Sequence, residues 1–260
     1  MPEAKVDARA VVEPGAVLGN DVTIGPFCVI GENVTVGDGT WIGSHVVITG
    51  NTSIGQNNKI YHFCSLGEAP QHTGYKNEPT QLRIGDHNTI REYCTLNRGT
   101  AAGGGVTQVG DNNFLMAYVH IAHDCRLGNN TIFANCASLA GHVTVGDNAI
   151  LGGFTLVHQF CRVGAHCITG IGSVCLQDVP PFIVAAGNRA IPHGINTKGL
   201  RRRDFSEQDI KVLKSVYKLV YRTNYSLLDA VEEVEHQFSD SQVAKDFISF
   251  LKGSSRGVIR

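Results

Sequence analysis

Aliphatic residues recur at every sixth position: Val6, Val12, Leu18, Ile24, Ile30, Val36, Ile42, Ile48, Ile54, Ile60 and Leu66. The pattern returns in phase at Ile84, Ile90 and Leu96. It slips by one residue and runs again through Val109, Leu115, Ile121, Leu127, Phe133, Leu139, Val145, Leu151, Val157 and Val163, fading at Thr169 and Cys175. Of these 26 positions, 23 are Ile, Leu or Val, and alternation within each hexad specifies strand and not helix. A six-residue repeat of short strands predicts a parallel β-helix of about nine coils, each closed by three hexads. Residues 18 apart then stack, and burying each ladder aliphatic contributes roughly 1.5–3 kcal/mol. Glycine follows 14 of the 26 positions, which suggests corners with positive φ.

Two stretches break the repeat. Residues 67–83, GEAPQHTGYKNEPTQLR, stand where three hexads would fit, and residues 97–108, NRGTAAGGGVTQ, shift the phase. Loops that leave a rigid solenoid often carry binding function, although either could be a tolerated surface insertion. After Asp178-Val-Pro-Pro the hexads stop, and the chain as far as Arg203 reads as irregular. From Asp204 the pattern is helical. Ser206 can cap a first helix with the stripe Ile210, Leu213, Val216, Tyr217 and Val220, and further helices are expected over Leu227–Phe238 and Val243–Leu251. The chain therefore reads as mainly β. A parallel β-helix spans residues 1–190, and a C-terminal α-helical domain, 191–260, closes the exposed strand edges.

Composition narrows the function classes. With 22 basic against 23 acidic residues among 260, nothing global argues for nucleic acid. No apolar run approaches the roughly 18 residues of a membrane span, so stable membrane insertion is not expected. The first fifteen residues lack the basic and apolar regions of a signal peptide, which predicts a cytoplasmic protein. Of eight cysteines, Cys28, Cys64, Cys94, Cys125, Cys161 and Cys167 occupy one repeat slot, two before the aliphatic position. They read as small hydrophobes and not as disulfides or metal ligands.

The chemistry-bearing stretch is Tyr118–Phe160, which holds His120, His123, His142 and His158. The 18-residue interval stacks His123, Gly141 and Gln159 in one ladder, and Asp124 and His142 in the next. A lone histidine at a solenoid corner is ordinarily structural; the ladder and the flanking histidines turn the reading of His123 to catalysis. His45, His62, His87, His166, His193 and His236 read as structural or solvated. The run Arg201–Arg203 is either a solvated face or a phosphate site. Clustered histidines also admit a zinc hydratase resembling the γ-type carbonic anhydrases, against which the helical C-terminus and the 67–83 stretch argue. A non-catalytic trimeric scaffold is a third reading.

HIAHDC at 120–125, LAGHV at 139–143, VHQFC at 157–161, QDVPP at 177–181 and GLRRR at 199–203 closely resemble the UDP-N-acetylglucosamine O-acyltransferases of lipid A synthesis. The resemblance covers essentially the whole chain. It implies a left-handed β-helix, an exception to the usual crossover hand, and a homotrimer with active sites between subunits. It also implies acyl carrier protein as donor, UDP-N-acetylglucosamine as acceptor, and neither metal nor cofactor. By the same resemblance His123 is the general base, followed by Asp124, and Gly141 supplies a backbone N–H to the oxyanion. His120, His142 and His158 line the cleft. Gln71, Gln159, Asn196, Arg202 and Arg203 match nucleotide-sugar contacts. His72 and Gly74 stand where many members have Asp and Lys; Asn97 replaces a common His, and Lys198 a common Glu. These departures leave a 3-amino UDP-sugar open as an alternative acceptor. Ile171 stands where the family floors its acyl tunnel, and a bulky residue there implies a shorter donor.

Overall fold

A computed structural model describes residues 3–260. Three sheets of 11, 9 and 8 strands result; the hexad strands are all parallel and visit the sheets in turn, and a terminal hairpin completes the first sheet. The register advances by three hexads wherever the repeat is unbroken: Lys5 pairs with Thr23, Val11 with Val29 and Val17 with Thr35. The aliphatic ladder fills the prism, with Ile30, Ile48, Leu66, Leu96, Ile121 and Leu139 fully buried in successive coils of the second sheet. The slot two residues earlier is internal too, and the cysteines there are buried free thiols. Desolvation pushes the Cys125 thiol up to about 12.

The glycines serve a different purpose from the one expected. Most of those that follow an aliphatic do not have positive φ; Gly67 is an exception. They are small because coils press together: a Cβ on Gly37 would stand 2.6 Å from the Gly55 carbonyl carbon, and one on Gly146 2.6 Å from the Ala165 nitrogen. Positive φ falls instead on Asn, Asp, His and aromatic residues of the corners, among them Phe27, His45, Phe63, Tyr93 and Tyr118. Left-handed backbone is costly for bulky residues. Here the rings compensate by stacking along the edge, Phe27 on His45 at 4.9 Å and Tyr93 on Tyr118 at 4.8 Å.

Both interruptions are excursions from otherwise intact coils. Lys59 pairs with Thr89, so the first lengthens its coil by two hexads and replaces no strand of the prism. Ile90 pairs with Leu115, so the second lengthens its coil by one hexad and one residue more, which moves the phase by one. A buried polar ladder holds register across both. The side-chain oxygen of Asn58 accepts from Asn88 N–H, that of Asn88 from Asn113 N–H, and that of Asn113 from Thr131 N–H, each at 2.8 Å.

The stretch after Asp178 is more ordered than its sequence suggested. Ile183–Ala186 extends the first sheet, and Ile191–Ile195 returns antiparallel to it. The sheet edge is thus closed by a hairpin, and the helices lie on top. Four helices follow: α1 (Thr197–Arg201), α2 (Glu207–Tyr221), α3 (Leu227–Gln237) and α4 (Gln242–Lys252). Ser206 caps α2 as expected, and Ser226 and Asp229 form a capping box on α3. Ile210, Leu213, Val216, Tyr217 and Val220 are buried, and the Tyr217 hydroxyl donates to Pro192 C=O at 3.0 Å, tying α2 to the hairpin.

Asn113→Ala should leave the fold recognisable but cost about 3 kcal/mol. It orphans the buried Thr131 N–H and the Gly128 carbonyl that the amide of Asn113 serves. Denaturant unfolding of the two proteins measures the difference.

Candidate active site

His123, Gly141 and Gln159 occupy successive coils at the corner between the second and third sheets. The flanking strands pair one coil apart, His120 with Ser138 and Arg126 with Thr144. A Cβ on Gly141 would stand 2.5 Å from Cε1 of His123, so the imidazole lies directly over this glycine. The Gly141 N–H has no acceptor in the chain among the described residues. The second ladder is Asp124, His142 and Phe160, all with left-handed backbone (φ 62°, 63° and 65°). The His142 ring stacks on Phe160 at 4.4 Å.

Asp124 is the best-held side chain of the site. Its Oδ2 accepts from His123 Nδ1 and from the Thr100 hydroxyl, each at 2.7 Å, and its Oδ1 accepts from Thr100 N–H at 2.8 Å. Asp124 N–H donates to the Thr107 hydroxyl at 2.8 Å. His142 Nε2 stands 3.6 Å from Oδ2. The carboxylate thereby fixes His123 as the Nδ1–H tautomer and leaves Nε2 free to take a proton. Thr100 lies in the second excursion and Thr107 in the strand Val106–Val109 where the chain rejoins the prism, and neither stood out in the sequence. Their only signal was the phase slip, which marks that stretch as different without saying which residue points inward.

The donor atoms of His123, Asp124 and His142 lie within 4.8 Å of one another. The 2.7 Å Nδ1···Oδ2 separation is a hydrogen bond, so these two atoms form a histidine–carboxylate dyad.

Three further histidines surround His123 differently. The His72 ring, carried by the first excursion, meets it edge-on at 5.4 Å, and its Nδ1 accepts from Gly74 N–H at 3.2 Å. His120 Nδ1 bonds the Thr95 hydroxyl at 2.7 Å. His158, two coils on, is exposed and stands 3.1 Å from Arg256. Gln71 and Gln159 are exposed. Asn97 is not a free site group: its Nδ2 donates to the carbonyls of Glu68 and Ala69 and braces the root of the first excursion.

Asn196, Lys198, Arg202 and Arg203 lie on a different edge of the prism. Arg203 Nε donates to Asn148 Oδ1 at 3.0 Å and Asn196 Nδ2 to His166 C=O at 2.9 Å, both on the corner between the third and first sheets. The Asn196 side chain also caps α1, so both of its ends are engaged. Lys198 and Arg202 are exposed. The single chain therefore separates these residues from His123. Ile171 lies on the remaining edge, between the first and second sheets, and is 79% exposed.

Stacked six-residue coils with a carboxylate-held histidine at one corner define a hexapeptide-repeat transferase. Residues 33–68 and 107–141 match the bacterial transferase hexapeptide family, and residues 178–259 match domain 2 of UDP-N-acetylglucosamine O-acyltransferase. The acyl-[acyl-carrier-protein]–UDP-N-acetylglucosamine O-acyltransferase of Halorhodospira halophila is 56% identical over 98% of this chain and 99% of its own. That of Thiobacillus denitrificans is 54% identical over 99% of this chain and all of its own. The solved LpxA of Acinetobacter baumannii superposes with a TM-score of 0.96 at 42% identity, covering 98% of this chain and 99% of the other. This chain belongs to the UDP-N-acetylglucosamine O-acyltransferase family.

Burial moves two of the site histidines in one direction. Desolvation is the main cause that holds His120 below its usual range, with His123 adding to it. Desolvation also lowers His142, partly offset by Asp124. Both should stay neutral to lower pH than the 6.5 of a free imidazole when followed by NMR titration. Because the unfolded chain then binds these protons first, stability should fall as pH drops below about 6.5. Thermal melts between neutral and mildly acidic pH check the sign.

Proposed function

We propose that this chain transfers a 3-hydroxyacyl group from acyl carrier protein to the 3-hydroxyl of UDP-N-acetylglucosamine, the opening acylation of lipid A synthesis. The observation that carries this reading is the His123–Asp124 dyad seated over Gly141. The names of the full-length relatives, which state donor and acceptor, support it. Those names favour the hydroxyl sugar over the 3-amino alternative.

The reaction follows from the geometry. The sugar O–H bond breaks, its proton passes to His123 Nε2, and the oxygen bonds to the thioester carbonyl carbon. A positioned base of this kind is typically worth about 10²–10⁴ in rate. The carbonyl oxygen becomes an oxyanion, and the Gly141 N–H donates to it; one such donor contributes roughly 3–4 kcal/mol. The carbon–sulfur bond then breaks, and the pantetheine sulfur leaves with the proton returned by His123. His120, His142 and His158 line the cleft, His72 faces the acceptor side, and Gln71 and Gln159 are assigned to the nucleotide sugar.

We place this site between copies of the chain in a homotrimer. The outward face of the second sheet carries exposed Val11, Val29, Val47 and Leu156, and Phe27, Phe63, Tyr93 and Tyr118 border it at 41–56% exposure. His120 lies on the same face, in register with Leu156 two coils on. A neighbour covering this face would bring its Asn196–Arg203 edge to the histidines, with Arg202 and Arg203 available to the nucleotide phosphates.

His123→Ala should remain a folded trimer by sedimentation and lose at least about 10²-fold in turnover. Mixing it with Arg203→Ala should restore part of the activity, because some clefts then receive an intact wall from each parent. A fully active His123→Ala protein would remove the base assignment.

Ile171 concerns the donor. It stands just under three coils beyond His123, which is about 13 Å along the axis at roughly 4.8 Å per coil. Its exposure shows that it is no core ladder residue, and its branched side chain is stiff. Wild-type enzyme should prefer a medium-length 3-hydroxyacyl donor, and Ile171→Gly should shift preference to longer ones. Competition between carrier proteins loaded with different chain lengths, read by mass spectrometry, tests both.

A further inference from the structure

The second excursion ends in a bond for which the repeat alone makes no provision. It leaves the prism after the strand Thr95–Asn97 and rejoins at Val106–Val109, with a single 3-10 turn, Ala101–Gly103, between them. Thr100 caps this turn. Its Oγ1 accepts from Gly103 N–H at 3.1 Å, which commits the hydroxyl proton to the other side, where Asp124 Oδ2 stands at 2.7 Å. Thr100 N–H holds the second carboxylate oxygen at 2.8 Å. Thr100 and Asp124 are 6% and 5% exposed, so solvent does not replace either bond. Gly103 lies so close to the carboxylate that there is no room for a Cβ.

The geometry points to Thr100 as a positioning residue that sets the orientation and proton affinity of His123 through Asp124. The inference rests on the reading of His123 as the base. A buried carboxylate distributes its charge among its donors. With three of them, only part is directed at the imidazole. Removing the hydroxyl concentrates that charge on His123 Nδ1–H, favours the imidazolium, and makes the base harder to keep free at a given pH. The other ionisable groups around His123 are His72 from the first excursion, His142 from the next coil and His120 from the preceding strand. The nearby cations are directed elsewhere: Arg98 donates to Gly67 C=O and Arg126 is exposed. The Thr100 hydroxyl can thus be removed without removing a charge.

The test is the pH–rate profile of the full-length enzyme carrying Thr100→Val, Thr100→Ala or Thr100→Ser. In the valine and alanine variants the acid limb should move to higher pH by about half a unit or more. Their kcat should fall at least about tenfold, with KM for the sugar nucleotide within about twofold. Serine keeps the hydroxyl and should keep the wild-type limb. A folded valine or alanine variant whose limb does not move overturns the inference, even if its melting temperature falls, because a purely structural threonine would do only that. Should both fail to fold, nitrogen-15 histidine NMR of the wild type and the serine variant decides. Both must show the Nδ1–H tautomer at His123, and an Nε2–H tautomer in either overturns the inference. Activity surviving in His123→Ala would strike the base reading itself, whereas a dead His123→Ala beside an unmoved Thr100→Val limb strikes only the role of Thr100.

Discussion

The structure depends on how closely one coil can lie on the next. Parallel backbone bonds such as Gly25 N–H to Ile42 C=O and Gly43 N–H to Ile60 C=O, each 2.8 Å, set the spacing. At that spacing nothing larger than glycine fits at several turns. Those glycines therefore mark contact between coils, and the left-handed corners fall to residues that can stack or hydrogen-bond. Phe27, His45, Phe63, Tyr93 and Tyr118 do so along one edge, and Asp124, His142 and Phe160 along another. The corner that holds His123 is thus a local use of a constraint that acts along the whole prism.

A rigid stack also makes departures from it informative. The coils tolerate both additions because the buried asparagine ladder carries the register past them. Each excursion then delivers something that the repeat cannot. The first brings His72 to the face of His123, and the second brings Thr100 to Asp124. Without them the corner would still stack an imidazole over a glycine, but the carboxylate would lose two of its three donors.

The three edges of the prism carry different parts of the proposed chemistry. The dyad is on one, the Asn196–Arg203 segment on a second and Ile171 on a third. No folding of a single convex solenoid brings such edges together. That is the structural basis for reading the site as shared between copies, and for the apolar face beside His120.

The periodicity of the chain determined the stacked-coil architecture, though not its hand. Burial of every sixth residue calls for coils of three hexads, and their stacking puts His123 over Gly141 and Asp124 beneath His142. The Ser206 cap and the apolar stripe of α2 were legible for the same reason, since helical period and capping chemistry are local. The hairpin at 183–195 was not, because its strands close a sheet edge that exists only once the coils are stacked. The coil glycines were misread in kind, since close approach between residues far apart in sequence leaves no mark on the residue itself. Tertiary structure alone decided that Asn196 caps α1, that Asn97 braces a loop, and that Thr100 reaches across from the second excursion to Asp124. A hydrogen bond is set by atomic positions, and outside the regular coils those positions follow from how the excursions fold back and not from any period in the sequence.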